Sequence, residues 1–427
     1  MNQKVILLGL NELNFDYIEA YIQQGHLPNF KNLFIRYGFG QTTSEKSYEL
    51  LEPWIQWVSI HTGKTYNEHK VFRLGDIVER QDLRQLWEIA QEKGLSVGAI
   101  SPFNARNNLK NDGFFVPDPW TQTTVTGEPV LQKMSQAVSN AVNNNANSSV
   151  SKGSAIALLR GVLKYVPILR WPHYLAMGLK LKRKFTKSAI LDNILGDTFL
   201  TLWKKNQPDF SSLFLNAGAH IQHHYMFNSA IYNGNQKNPD WYIPANEDPL
   251  LDILKEYDLL LGRIMKLGCH MFVATGLHQK PHLHTTFYWR LKNHEEFLKL
   301  AGITSFKAVI PRMSRDFLIE CNSNAEAATV QAVAESVTAN GINVFTVDNR
   351  GTSLFVELTY DEDVKEGTTI AVNNNNTSID LHKYVSFVAI KNGEHDGIGY
   401  LVDTNKKYSQ KDTMPVTQVF NEIITAL

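Results

Sequence analysis

The sequence predicts a three-layer α/β/α protein on a mostly parallel sheet, with a helical basic insertion and a small α+β subdomain set into it. Three observations predict this. Short, wholly apolar runs alternate with amphipathic helical stretches over the first hundred residues, the alternation returns over 210–275, and a helix-like segment closes the chain at Val416 to Ala426. A strand that is apolar at every position needs both faces of its sheet covered, as in a parallel sheet between helical layers.

The first strand is Lys4 to Leu10; its apolar run Val5 to Leu8 has one Lys before it and no small-residue cleavage site after it, so it is too short for a secretory signal. A helix over Phe15 to Gln24, another over Leu86 to Lys93 stopping at Gly94, and a strand over Leu95 to Ile100 complete the first part of the core, 1–131. From Gln132 to Lys152 the composition turns to Asn, Ser and Ala, most densely over Asn143 to Ser149, which reads as a linker into an insertion over 132–204. Inside it, Lys152 to Lys187 carries nine Lys/Arg and no Asp or Glu, interleaved with Leu, Ile, Tyr165, Trp171 and Tyr174. Such helices suit an anionic membrane surface; the other reading is a cap packed on the core with its charged face in water. The apolar region Ala155 to Leu179 is broken by Arg160, Lys164, Pro167, Arg170 and Pro172, so no membrane-spanning helix is expected.

The core resumes over 205–304 with a strand at Phe210 to Leu215, a helix at Pro249 to Leu267 and a strand at His270 to Thr275. The small α+β subdomain, 305–377, reads as strand Asp316 to Cys321, helix Ala325 to Thr338, and strands Ile342 to Val347 and Thr352 to Leu358. The final core segment, 378–427, opens with the strand Tyr384 to Ala389.

With 42 Lys+Arg against 42 Asp+Glu the chain has no global field to steer it to nucleic acid, and 43% hydrophobic residues suffice for a large core. Cys269 and Cys321, far apart in sequence, form neither a thiolate zinc motif nor a disulfide framework. A cytoplasmic protein acting on a small-molecule or glycan substrate is the expectation, with an anionic membrane surface as its further partner only on the first of the two readings of 152–187.

Histidines cluster after predicted strands: His220, His223 and His224 after Leu213 to Leu215; His278, His282 and His284 after Met271 to Val273; and His395 after the strand ending near Ala389. In an open α/β sheet ligands sit at the carboxyl ends of strands, so these loops are expected to converge on one cleft. Asn11 and Glu12 follow the first strand directly. Glu49 and Glu52 precede the helix-like stretch Trp54 to Ile60; Glu49 reads as a complement to its macrodipole, and for Glu52 both that and a catalytic role stand.

The order of motifs resembles the alkaline phosphatase superfamily, and within it the type I phosphodiesterase/nucleotide pyrophosphatase branch. Val5 to Asn11 is similar to a first strand ending in a metal-binding Asp, and Gly25-His26-Leu27-Pro28-Asn29 with Leu33 to a following G-x-LPN segment. Trp57-Val58-Ser59-Ile60-His61-Thr62-Gly63 is similar to the stretch behind the family's nucleophile. Asn216-Ala217-Gly218-Ala219-His220 stands where the family has D-x-x-G-H, Tyr257 to Arg263 resembles the helix after it, Gly276-Leu277-His278-Gln279 stands for S-D-H-G, and Gly393-Glu394-His395 for the late G-x-H.

The resemblance implies an alkaline-phosphatase-like core, and the departures from it bear on function. The nucleophile position falls on Pro53, and the three metal carboxylates become Asn11, Asn216 and Leu277. Two zinc ions about 4 Å apart need anionic ligands, which amides and Leu do not supply. The resemblance and its departures together imply a divergent hydrolase or transferase on a phosphoester-bearing or glycan/lipid-linked saccharide substrate. Its expected catalytic residues are Glu52, Glu12, His278 and Asn11, and its expected substrate contacts Asn216, His223, His224, His282 and His284. Either a single zinc on His220, His278 and His395 or no metal at all is expected. The alternative is an inactive descendant that binds an anionic glycan, nucleotide or lipid headgroup.

Overall fold

The computed structural model describes residues 3–110, 113–143, 151–181, 183, 185–312 and 315–427. The chain divides into two compact units, 1–281 with 393–427 and 282–392. In the first, β1 (Val5–Leu10), β2 (Gly40–Thr43), β3 (Val97–Ile100), β4 (Phe114–Val116), β5 (Phe210–Leu215) and β6 (His270–Ala274) join Ile398–Asp403 and Thr413–Pro415 in one sheet. Its order is Thr413–Pro415, β2, Ile398–Asp403, β6, β1, β5, β3, β4. The run from β6 to β4 is parallel, and Ile398–Asp403 is antiparallel to both its neighbours. β1 lies at the centre, buried at all six positions, as its unbroken apolar run requires.

The helices of this unit are α1 (Phe15–Gln23), α2 (Pro28–Tyr37), α3 (Pro53–Thr62), α4 (Tyr66–His69), α5 (Leu86–Glu92), α6 (Pro129–Asn143), α7 (Lys152–Tyr165), α8 (Trp171–Gly178), α9 (Thr186–Asn206), α10 (Ala217–Tyr225), α11 (Pro249–Met265) and the closing helix Gln418–Ala426. Val5 and Leu7 of β1 pack with Trp57 of α3, Trp87 of α5 and Val419 and Ile423 of the closing helix. Alternation turns Ile6 and Leu8 to the other face. α9 lies on β3 and β5 and packs with α10 and α11. Asp258 of α11 accepts the Asn29 and Phe30 N–H groups, each at 2.9 Å, and so caps α2.

Three boundaries differ from the sequence reading. The stretch expected as a linker begins inside α6, and residues 144–150 of it lie outside the described residues. The expected insertion 132–204 belongs to the first unit, because α9 buries residues along its length against β3, β5, α10 and α11. The second unit runs from 282 to 392, wider than 305–377, since its core also takes in Trp289, Phe297, Leu381 and Val385. The strand expected to resume the core is Val385–Asp396, which pairs with His278–Leu291, while Ile398–Asp403 joins the large sheet. Alternation marks a strand and is silent about which sheet takes it. The second unit otherwise holds two four-stranded sheets and, among the described residues, the helices His294–Leu300, Asn324–Glu335 and Leu381–Tyr384. Among the described residues no helix is long and apolar enough to cross a membrane.

Candidate functional site

Because β1 lies between β5 and β6, the carboxyl ends of three strands open side by side, and the residues after them meet there. The backbone closes this junction: Asn11 N–H donates to Leu215 O at 3.1 Å and Glu12 N–H to Thr275 O at 3.0 Å. Glu12 sits at φ 56, in the left-handed region that a non-glycine residue enters at a cost of about 1 kcal/mol. Strain of this kind at a strand end is where functional residues concentrate.

The Glu12 carboxylate is almost fully buried and ringed by nitrogen. Oε1 accepts from Asn11 Nδ2 at 2.8 Å; Oε2 accepts from Gln279 Nε2 at 2.5 Å and faces His223 Nε2 at 3.0 Å and His395 Nε2 at 3.1 Å. Burial raises its pKa, but the imidazoles of His395 and His223 outweigh that and hold the carboxyl well below the usual range. Glu12 is therefore an anion at neutral pH.

The Asn11 side chain is committed on both its ends. Its Oδ1 accepts the Trp57 indole N–H at 2.8 Å, while Nδ2 donates to Glu12 and, at 2.7 Å, to Asn216 Oδ1. Trp57 gets there because β1 carries Gly9: a Cβ at that position would lie 2.7 Å from the Trp57 ring. The Asn216 side chain can face Asn11 because it does not cap α10. Asp192 of α9 does so in its place, accepting from Ala217 N–H at 2.7 Å and from the Tyr257 hydroxyl at 2.5 Å. Burial pushes the Asp192 carboxyl up to about 6, against these hydrogen bonds.

α10 then presents His223 to Glu12, and Gln222 Nε2 donates to the Glu12 carbonyl at 2.6 Å. Glu52 is the N-cap residue of α3, yet its side chain makes no cap hydrogen bond, and its carboxylate lies 3.7 Å from His395 Nδ1. His395 thus stands between two carboxylates, and its ring centroid is 5.1 Å from that of His223.

The structure gathers Glu12, His223, His395, Glu52, Asn11 and Asn216. It does not bring the other expected residues into this group. His278 is buried with Nδ1 2.7 Å from Ile398 O and its ring stacked on Tyr400, and burial lowers its pKa. His220 is exposed and packs edge-on against His224. His282 and His284 belong to the second unit. Among the described residues the donor atoms that come within 4.8 Å of one another are those of Glu12, His223 and His395, and not the set His220, His278 and His395. The residues do not fit the two-ion site that the fold family implies, since both amides are tied to each other and Leu277 has no donor. Two imidazoles and one carboxylate are, by their donor chemistry, a set that could hold one cation such as zinc. Gln279, Gln222 and Asp192 escaped the sequence reading; nothing about an Asp inside a basic insertion marks it as the cap of a helix far along the chain.

A sequence profile of the type I phosphodiesterase / nucleotide pyrophosphatase family matches residues 5–268. No curated protein matches the chain. Among solved structures, phosphonoacetate hydrolase from Sinorhizobium meliloti 1021 is similar at 12% identity and a TM-score of 0.48, over 100% of this chain and 96% of that one. Murine ectonucleotide pyrophosphatase/phosphodiesterase 5 gives 9% and 0.44 over 99% and 94%, and alkaline phosphatase from the Antarctic bacterium TAB5 gives 9% and 0.40 over 100% and 98%. With the profile match spanning more than half of its length, the chain belongs to the type I phosphodiesterase / nucleotide pyrophosphatase family.

Proposed function

We propose that this protein is a phosphoester hydrolase working through one divalent cation, zinc by its donor set, at Glu12, His223 and His395. The observation that carries the reading is the buried Glu12 carboxylate converging with two imidazoles within 4.8 Å at the carboxyl end of β1. A bound cation supplies Lewis-acid polarisation of the phosphoryl group. Pro53 has no hydroxyl, so water replaces a side-chain nucleophile. Glu52, one residue earlier and partly open to solvent, takes the proton of that water as it attacks phosphorus; the ester oxygen leaves and is protonated from solvent. Asn11 and Asn216 are neutral positioning groups that keep the anion on Glu12. The substrate class is a phosphodiester or pyrophosphate borne by a small molecule or a lipid-linked saccharide. A second reading, a binding protein for such an anion, rests on Pro53 at the nucleophile position.

Calorimetric zinc titration of the chelator-treated full chain tests the site. One ion per chain is expected, weakened about tenfold or more by His223→Ala or His395→Ala and little changed by His220→Ala or His278→Ala. Glu52→Gln should lower kcat on bis(4-nitrophenyl) phosphate about 100-fold with zinc affinity retained. No zinc binding, or dependence on His220 and His278, rejects the cluster. Zinc binding without turnover of any phosphoester favours the second reading.

A further inference from the structure

Helices α7 and α8 are turned the wrong way out for a water-facing surface. On α7 the side toward the protein carries Ser154, Gly161 and Tyr165, all buried, while Ile156, Leu159 and Leu163 are more than half exposed. Gly161 is needed for this approach, because a Cβ there would collide with the Met134 side chain of α6. The turn that follows exposes Ile168 and Leu169, the latter at 89%, and α8 continues with Trp171, Leu175 and Leu179, the last at 88%. These three are spaced four apart and so share one helix face. Nine of the eighteen large apolar side chains exposed among the described residues fall within 156–181. A surface helix normally buries this stripe, and an exposed apolar concentration marks an interaction surface.

The face is held in place rather than loosely attached. Arg170 and the Tyr174 hydroxyl reach the buried Asp197 of α9 at 3.2 and 2.6 Å. Residues 152–187 contain no Asp or Glu of their own; Lys164, His173 and Arg183 pair with Glu128, Glu256, Glu247 and Asp252 from neighbouring segments, while Lys152, Arg160, Lys180 and Lys187 are exposed. An anionic lipid surface meets the exposed leucines and these exposed lysines and arginine at once. Leucines enter the headgroup boundary and lysines contact phosphate.

We infer that the α7–α8 face docks this protein peripherally on an anionic membrane, an inference independent of the reaction at Glu12. Flotation of the full chain with vesicles of phosphatidylcholine alone or with about 30% phosphatidylglycerol tests it. Binding is expected to the anionic vesicles only, falling about tenfold between roughly 0.1 and 0.5 M salt. The double substitution Leu169→Glu/Leu179→Glu should weaken it by about tenfold or more. Leu300→Glu, an exposed leucine outside the face, should not. Circular dichroism checks that the variants fold, as substitutions at exposed positions should. Equal binding to neutral vesicles, no binding at low salt, or a concentration-dependent dimer abolished by the double substitution would overturn the inference, the last in favour of a second copy of the chain.

Discussion

Asn11→Asp places a second carboxylate against Glu12, and it should break the site as it stands. The amide orientation is fixed, since the Trp57 indole can only donate and must face Oδ1. That turns Nδ2 toward two acceptors, Glu12 Oε1 at 2.8 Å and Asn216 Oδ1 at 2.7 Å. Aspartate puts an oxygen where the donor was. Unit charges 2.8 Å apart repel by about 6 kcal/mol at an effective dielectric of about 20. The new carboxyl escapes by taking up a proton, which at pH 7 costs about 4 kcal/mol for a group of ordinary pKa near 3.9. The smaller figure sets the loss, so the chelator-treated variant is expected to be about 4 kcal/mol less stable than the wild type at pH 7. The deficit should shrink by about 1.4 kcal/mol per pH unit on acidification toward pH 5. Urea unfolding at several pH values measures both. A variant within about 0.5 kcal/mol of wild type at pH 7, or a deficit indifferent to acid, would refute the assignment of a neutral donor between Glu12 and Asn216.

The same geometry sets two more outcomes. The Asp192 carboxyl lies higher in the folded protein than its ordinary 3.8, at about 6, so its contribution to stability is present below about pH 4 and lost as pH rises through about 6, roughly 3 kcal/mol in all. Asp192→Asn, which cannot titrate, should therefore gain on the wild type by about that amount between roughly pH 4 and 7, read from paired denaturant midpoints; parallel curves contradict the buried charge. Gly9→Ala forces a Cβ to 2.7 Å from Trp57 and 2.9 Å from Phe214, and should cost about 2 kcal/mol and alter tryptophan emission through the displaced indole; an unchanged spectrum and midpoint would mean the contact is not close.

The sequence by itself determined the layered fold and the pool from which the site is drawn. Unbroken apolar runs such as Val5 to Leu10 can be satisfied only between two helical layers, and the residues after such strands must face the sheet's open edge, which put Asn11, Glu12 and His223 in view; His395, expected after a strand ending near Ala389, lies instead within the strand Val385–Asp396. The loss of hydroxyl and carboxylates at Pro53, Asn11, Asn216 and Leu277 was also legible, because residue type alone decides it. Only the tertiary structure decided which of the candidates meet. His220 and His223 are three residues apart on one helix, and which of them faces Glu12 depends on how α10 is rotated, a matter settled by Asp192 on α9 and Gln222 against the Glu12 carbonyl. His278 is diverted by the Ile398 carbonyl on a strand 120 residues away in sequence. Glu12 becomes the anion because its left-handed backbone turns it into a ring of donors contributed by distant segments. Such choices depend on distances of a few ångströms between groups far apart along the chain, and local periodicity carries no record of them.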